Sequence, residues 1–407
     1  MYYFGNINKH SNVILFKPGV KLKCIYCNSI YPPDPWLFFC PKCKRPLEVL
    51  TIERLLIRWE DLRKRKFCVW RYRELLPLSD SIDPVTLCEG GTPLIPITKA
   101  GNNKVYLKFE GSNPTGSFKD RGMTVAITIA RHIEVKGVIV ASTGNTAASA
   151  AAYAARAGLR CVVVLPKGSV AIGKLAQAML YGAEVVEVDG LFDEALDNVL
   201  ELVVTKGRRD LYPLNSYNPW RLEGQKTIAY EIVEELGKSP DAVFVPVGNA
   251  GNIYAVWKGF KELHENGIIE SVPRMIGVQA EGASPLVLTW RSKSSSLLPV
   301  SVPRTIASAI RIGKPVNWPK ALNAVNESGG SFISVSDSEI KDAMKKLAVT
   351  EGVGVEPASA TTLAGYIKSL EDRILTKSET VVLVGTGHVL KDPDAVFKIL
   401  SPEKISA

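Results

Sequence analysis

Histidine is scarce in this chain, four in 407 residues, which leaves little room for a histidine-based metal site or acid–base centre. No apolar run reaches the roughly 18 residues that a membrane-spanning helix needs. The opening residues, MYYFGNINKH, lack the apolar core of a secretory signal, so the chain reads as cytoplasmic, with no membrane partner. Neither H-E-x-x-H nor G-x-S-x-G occurs, removing the zinc-protease and serine-hydrolase patterns. No internal repeat is visible.

Cysteine is present but cannot form a disulfide framework: seven residues, an odd number without a secretory signal. Cys24, Cys27, Cys40 and Cys43 make two C-x2-C knuckles. Four thiolates at that spacing suit a tetrahedral structural zinc, or are the degenerate remains of such a site. Residues 1–50 therefore read as a zinc-ribbon-like segment. It has few clustered bases, so it reads as a structural appendage and not a nucleic-acid reader. Cys68, Cys88 and Cys161 read as buried, reduced small hydrophobes. Residues 51–84 read as a connecting segment, with 51–76 a basic, solvated helix; the run RKRK at 63–66 suits its exposed face.

What the chain has is an ordinary globular composition, 46% hydrophobic and 22% charged, with a formal charge of +9. That balance suits small anionic substrates as well as nucleic acid. From about residue 104, β-branched runs at 105–109, 137–141, 161–165, 184–188, 242–247, 275–280, 332–335 and 381–384 alternate with alanine- or leucine-rich helical periods. Such alternation predicts parallel sheets covered on both faces, in two α/β domains with a cleft at the carboxyl ends of the strands. The Ser-rich stretch 291–304 is the candidate mobile loop.

Four polar loops follow strand candidates: NPTGSFKDRG (113–122), ASTGNTAAS (141–149), VPVGNAGN (245–252) and LVGTGH (383–388). Lys119 stands in the first, at the mouth of a helix, where the dipole disfavours a cation. A surface lysine gains nothing there, whereas a lysine used as an amine does, because positive potential lowers its pKa. Asp120 suits the dipole and reads, with Arg121, as structure at the helix start. GNAGN at a helix start is a phosphate cradle, and STGNT offers hydroxyl and amide donors suited to a carboxylate. GSVAIGKL (168–175) imitates a P-loop, but its last position is Leu175, which cannot ligate magnesium. An amine nucleophile, a phosphate cradle and a carboxylate loop together describe pyridoxal phosphate chemistry.

PTGSFKDRGM, STGNTAASAAAYAARAG, PLNSYNPWRLEGQKT (213–227), VPVGNAGN and VGTGH together resemble threonine synthase, a fold-type II pyridoxal phosphate enzyme, over about residues 85–390. The resemblance implies two three-layer α/β domains of the tryptophan synthase β-like kind. The catalytic region would be 85–407, its large domain about 85–115 and 212–407 and its small domain about 116–211. It implies a Schiff base on Lys119, which also shuttles protons. Asn145 would bond the cofactor's ring hydroxyl oxygen, Gly248, Asn249, Ala250, Gly251 and Asn252 would hold its phosphate, and Thr386 would face the pyridine nitrogen. Ser142, Thr143 and Thr146 would hold the substrate carboxylate, and Asn215, Ser216 and Arg221 the phosphate of O-phospho-L-homoserine. A homodimer is the family's habit. On the residues alone, Arg221 could instead pair with Glu223. Other fold-type II activities stay open (threonine or serine dehydratase, cysteine or cysteate synthase), as does a ribbon-bearing nucleic-acid protein on an inactive scaffold.

Overall fold

The computed structural model of the chain describes residues 14–51, 58–99, 104–167, 172–189 and 192–400. The opening MYYFGNINKH, part of the basic segment (52–57) and part of the P-loop-like stretch (168–171) lie outside them. Among the described residues no helix is long and apolar enough to cross a membrane.

The cysteine segment folds as an antiparallel sheet of β1 (Lys21–Cys24), β2 (Ile30–Tyr31) and β3 (Leu47–Leu50), ordered β2-β1-β3. Ten more strands follow: β4 (Leu94–Pro96), β5 (Val105–Phe109), β6 (Gly137–Ala141), β7 (Arg160–Pro166), β8 (Glu184–Val188), β9 (Leu211–Pro213), β10 (Ala242–Pro246), β11 (Arg274–Ala280), β12 (Ser331–Val335) and β13 (Val381–Gly385). They form two sheets. One is ordered β12-β11-β10-β13-β5-β4 and is parallel except at edge strand β4. The other, β8-β7-β6-β9, is parallel throughout.

All eight β-branched runs are strands. β6, β10 and β13 are buried at every residue, as a strand covered on both faces must be. β4 and β9 span only three residues each, too short to show a period.

The helices between them are α1 (Trp59–Arg63), α2 (Lys119–His132), α3 (Asn145–Ala157), α4 (Ile172–Leu180), α5 (Phe192–Leu200), α6 (Pro219–Gln225), α7 (Thr227–Leu236), α8 (Gly251–Glu265), α9 (Pro285–Arg291), α10 (Trp318–Glu327), α11 (Asp337–Glu351) and α12 (Pro357–Glu371).

Three local expectations change. The segment 51–76 is not one solvated helix: α1 stops at Arg63, and a 3-10 stretch, Val69–Leu75, buries Val69, Arg71, Tyr72 and Leu75. Its polar groups find a carboxylate far along the chain, Glu234, which accepts from Arg71 Nη1 at 2.6 Å and from Tyr72 Oη at 2.5 Å. Residues 63–66 are exposed, as a solvated charge run should be. Cys68 and Cys161 are buried, but Cys88 is exposed, on a backbone with φ 66°.

The cysteine segment is not an appendage. Leu22, Phe38 and Leu47 belong to one continuous buried core with Val138 of β6, Tyr212, Tyr217 and Trp220.

Candidate active site

Two glycines decide what meets at the site. α2 begins with Lys119 and α6 carries Arg221. These helices cross in backbone contact. A Cβ at Gly224 would lie 1.7 Å from the Arg121 carbonyl oxygen, and one at Gly122 would lie 2.8 Å from the Arg221 carbonyl oxygen. No other residue type lets main chains approach so closely. The crossing sets Lys119 and Arg221 in the wall of one cavity, together with Asn145, Ser216, Asn252 and Thr386. The loops after β5, β6, β9, β10 and β13 converge there, at the carboxyl ends of strands from both parallel sheets.

Lys119 Nζ makes no hydrogen bond or ion pair with a described residue and lies 4.2 Å from the centroid of the Phe118 ring. Burial first, and the Arg221 charge second, lower its pKa to about 7, against the raising influence of Glu356. The depressed amine read from the sequence is present, with burial as the larger cause.

Arg221 is fully buried. Its Nη1 donates to the Leu214 carbonyl at 2.6 Å, while its Nε has no partner. Burial lowers even this guanidinium, to about 10. Glu223 is not its counter-ion: that carboxylate pairs with Lys226 at 2.6 Å and with Lys258. A buried cation without a carboxylate is costly unless an anion completes it.

The GNAGN loop opens α8. Ala250 takes a left-handed conformation, φ 65°, and Gly251 is the first helical residue. Both polar atoms of the Asn252 side-chain amide are buried without partners. Gly248 and Gly251 line the cavity beside them. Free backbone N–H groups at the start of a fifteen-residue helix, with an uncommitted amide alongside, form an anion site. Asn317 braces it, donating from Nδ2 to the Ser216 carbonyl at 2.9 Å and from its backbone N–H to the Asn249 carbonyl at 3.2 Å.

At another wall Asn145 Nδ2 donates to both oxygens of Glu356, at 3.2 and 3.0 Å. Thr386 Oγ1 lies 3.0 Å from Ser359 Oγ and 3.5 Å from Glu356 Oε1. Asp120 accepts from the Thr115 N–H at 2.7 Å, the Thr115 hydroxyl at 2.6 Å and the Ser149 hydroxyl at 2.6 Å. That matches the structural part read for it.

Of the residues picked out from sequence, Lys119, Asn145, Ser216, Arg221, Gly248, Asn249, Ala250, Gly251, Asn252 and Thr386 line the cavity; Ser142, Thr143, Thr146 and Asn215 do not. Ser142 Oγ accepts from the Gly144 N–H at 3.2 Å. The Asn215 amide is spent on strand β6, accepting from Ala141 N–H at 3.0 Å and donating to the Ala141 carbonyl at 2.9 Å. It holds the end of the strand that leads to STGNT.

Sequence reasoning missed Glu356. It lines the cavity, and burial raises its pKa. Its only sign in the sequence is a carboxylate among small residues just before a helix-starting proline, in VGVEPASA.

The second constellation is the cysteine cluster. The Cys24–Cys43, Cys27–Cys40 and Cys27–Cys43 sulfurs lie 3.3, 3.6 and 3.7 Å apart, and all four lie within 4.8 Å of one another. A tetrahedral zinc with bonds of about 2.3 Å puts its sulfurs roughly 3.8 Å apart, so these four fit the ion.

Residues 85–387 match the model of the family described as "Pyridoxal-phosphate dependent enzyme". The threonine synthase of Methanocaldococcus jannaschii is 52% identical over 384 residues, covering 92% of this chain and 94% of its own length. The threonine synthase of Methanosarcina acetivorans is 48% identical, covering 93% and 94%. Among solved structures, the processed form of threonine deaminase isoform 2 from Solanum lycopersicum superposes with a TM-score of 0.64 at 26% identity, covering 76% of this chain and 87% of that one.

Proposed function

The chain belongs to the threonine synthases of the pyridoxal-phosphate dependent enzyme family, and on that premise we propose that it converts O-phospho-L-homoserine and water to L-threonine and phosphate. The observation that carries the substrate is Arg221: a buried guanidinium with an unpartnered Nε, facing the cavity that holds Lys119. A phosphate ester supplies the missing anion, and a planar guanidinium suits it.

The residues present fit pyridoxal phosphate. Lys119 is an uncommitted amine with a lowered pKa, and the start of α8 with Asn252 offers an anion cradle. Bound there, the cofactor supplies a sink for electron density released at a substrate carbon.

The chain's own residues do the rest. Lys119 Nζ would hold the cofactor and move protons at substrate Cα, Cβ and Cγ, the last becoming a methyl group once the phosphate has left. Gly248, Asn249, Ala250, Gly251 and Asn252 hold the cofactor phosphate. Asn145, steadied by Glu356, would bond the ring hydroxyl, and Thr386, steadied by Ser359, would serve the ring nitrogen with a neutral hydroxyl. Ser216 and Arg221 take the substrate phosphate, which leaves from Cγ before water adds at Cβ. Ser142, Thr143 and Thr146, chain neighbours of the cavity-lining Asn145, take the substrate carboxylate. Asn215 contributes by fixing the end of β6.

The same reading assigns β4, β5 and β10–β13 to a large domain (about 85–115 and 212–407) and β6–β8 to a small one (about 116–211), with β9 at the boundary. It takes the enzyme as a cytoplasmic homodimer. A four-thiol cluster and unpaired buried Cys68 and Cys161 suit a reducing compartment.

The test is to assay phosphate and threonine in one tube after adding O-phospho-L-homoserine to the purified holoenzyme. Equimolar products are expected. Cofactor absorbance with neither product overturns the reading.

A further inference from the structure

The stretch that carries the substrate-phosphate residues, 214–221, is packed on the cysteine segment along its outer side. The Tyr217 ring lies against Phe38 and Phe39, with centroids 5.8 and 5.3 Å away. Both phenylalanines directly precede Cys40, a member of the four-sulfur cluster. Trp220, one residue from Arg221, stacks on Phe16 at 4.2 Å with an interplanar angle of 17°.

Polar ties reinforce this packing. β3 leaves Cys43 by a short turn, and its Val49 carbonyl accepts from Lys258 at 2.6 Å. Lys258 also pairs with Glu223 of α6. The Leu47 carbonyl accepts from Lys320 of α10 at 2.6 Å. Tyr254 of α8 donates to Glu48. Both helices that face the cavity with anion-binding groups, α6 and α8, are thus anchored to the cysteine segment.

We propose that the four-cysteine segment, with its metal bound, is a positioning element for the substrate-phosphate end of the site, acting through Tyr217 and Trp220 on Ser216 and Arg221. The proposal rests on the functional reading above for the ligand of Arg221. The metal fixes the two knuckles that present Phe38 and Phe39. Loosening them lets 214–221 shift outward, and a guanidinium gripping an oxyanion tolerates little displacement. The cradle is formed at the start of α8 by residues 248–252, while Tyr254 and Lys258 tie that helix to the cysteine segment further along it, so cofactor holding is expected to change less than phosphate binding.

The test uses the zinc-loaded holoenzyme, the same protein after chelation, and a Phe39→Ala variant, which does not alter the cavity lining and keeps all four sulfurs. Inorganic phosphate affinity is read by calorimetry, L-threonine affinity by cofactor absorbance, and folding by thermal unfolding. Expected is a fall of about tenfold or more in phosphate affinity, and a matching rise in KM for O-phospho-L-homoserine, with threonine affinity and cofactor absorbance little changed. Phosphate and threonine affinities that fall together, or that both stay constant while only the melting temperature drops, overturn the proposal. Should chelation unfold the chain, the Phe39→Ala titration decides alone. A wild type that binds phosphate but converts no O-phospho-L-homoserine defeats the functional reading, not this one.

Discussion

Lys119 and Arg221 are two cations in one small space, and their effect on each other is one-sided. Arg221 cannot release its proton near neutrality even when burial lowers it to about 10, and Lys119 yields, lowered to about 7 by burial first and by the Arg221 charge second. An amine in that range reacts as the free base. The rate at which the cofactor-free chain captures pyridoxal phosphate is therefore expected to rise with pH through about 7 and level off above it. Stopped-flow absorbance follows the capture, and a rise centred near 10.5, the ordinary lysine value, contradicts the assignment. Lys119→Ala should abolish threonine formation and the covalent cofactor adduct seen by mass spectrometry, while circular dichroism stays unchanged. Arg221→Ala should lower kcat/KM for O-phospho-L-homoserine by about tenfold to a hundredfold, the worth of a charged hydrogen bond, and leave cofactor affinity near wild type. Equal losses of both would make the residue a structural one.

At the scale of elements, the site depends on the α2–α6 crossing. Gly224→Ala drives a methyl group into the Arg121 carbonyl and should cost about 1–3 kcal/mol of stability, the usual range for overpacking. Differential calorimetry measures that loss, and kcat/KM should fall with it because Lys119 and Arg221 move apart. Much of this layer was legible in the sequence. Runs such as 137–141 announced strands by composition, and Lys119, GNAGN and Thr386 stood in small-residue loops directly after them. What was not legible depends on partners distant along the chain. Arg71 and Tyr72 turn inward because Glu234 is there to receive them. The Asn215 amide is consumed by Ala141, 74 residues earlier. Glu356 reaches Asn145 across 211 residues. No local pattern reports such pairings, and each converts a plausible surface or ligand group into an internal one.

For the whole molecule, the cysteine segment closes a core that the rest of the chain leaves open. Tyr212 packs edge-on to Trp36, with centroids 5.2 Å apart, and its hydroxyl donates to the Pro35 carbonyl at 3.0 Å. A chain lacking residues 1–50 would present Tyr212, Tyr217 and Trp220 to water as one apolar patch. Such a truncation is expected to elute from gel filtration as aggregate, whereas a soluble, cofactor-binding species of unchanged size would mean the core closes without it. A second tie is ionic: Arg121 of α2 pairs with Glu110 at 2.6 Å and with Glu231 of α7 at 2.6 Å, and Lys108 of β5 pairs with Glu231 at 3.0 Å. This fully buried set joins the helix that begins with Lys119 to the six-stranded sheet, so the amine is carried on an element tied down by buried charge.

The close approach of α2 and α6 has one more consequence. Where side chains separate two helices, the gap can be retuned by a methylene. Here carbonyl oxygen meets α-carbon, and no side chain lies between the two backbones at the crossing to be exchanged. For the substrate proposed, a phosphate ester one carbon shorter is expected to be turned over more slowly, because its anion would reach less far toward Arg221. A descendant that adopted the shorter ester would have to re-seat a helix, which small mutational steps seldom accomplish.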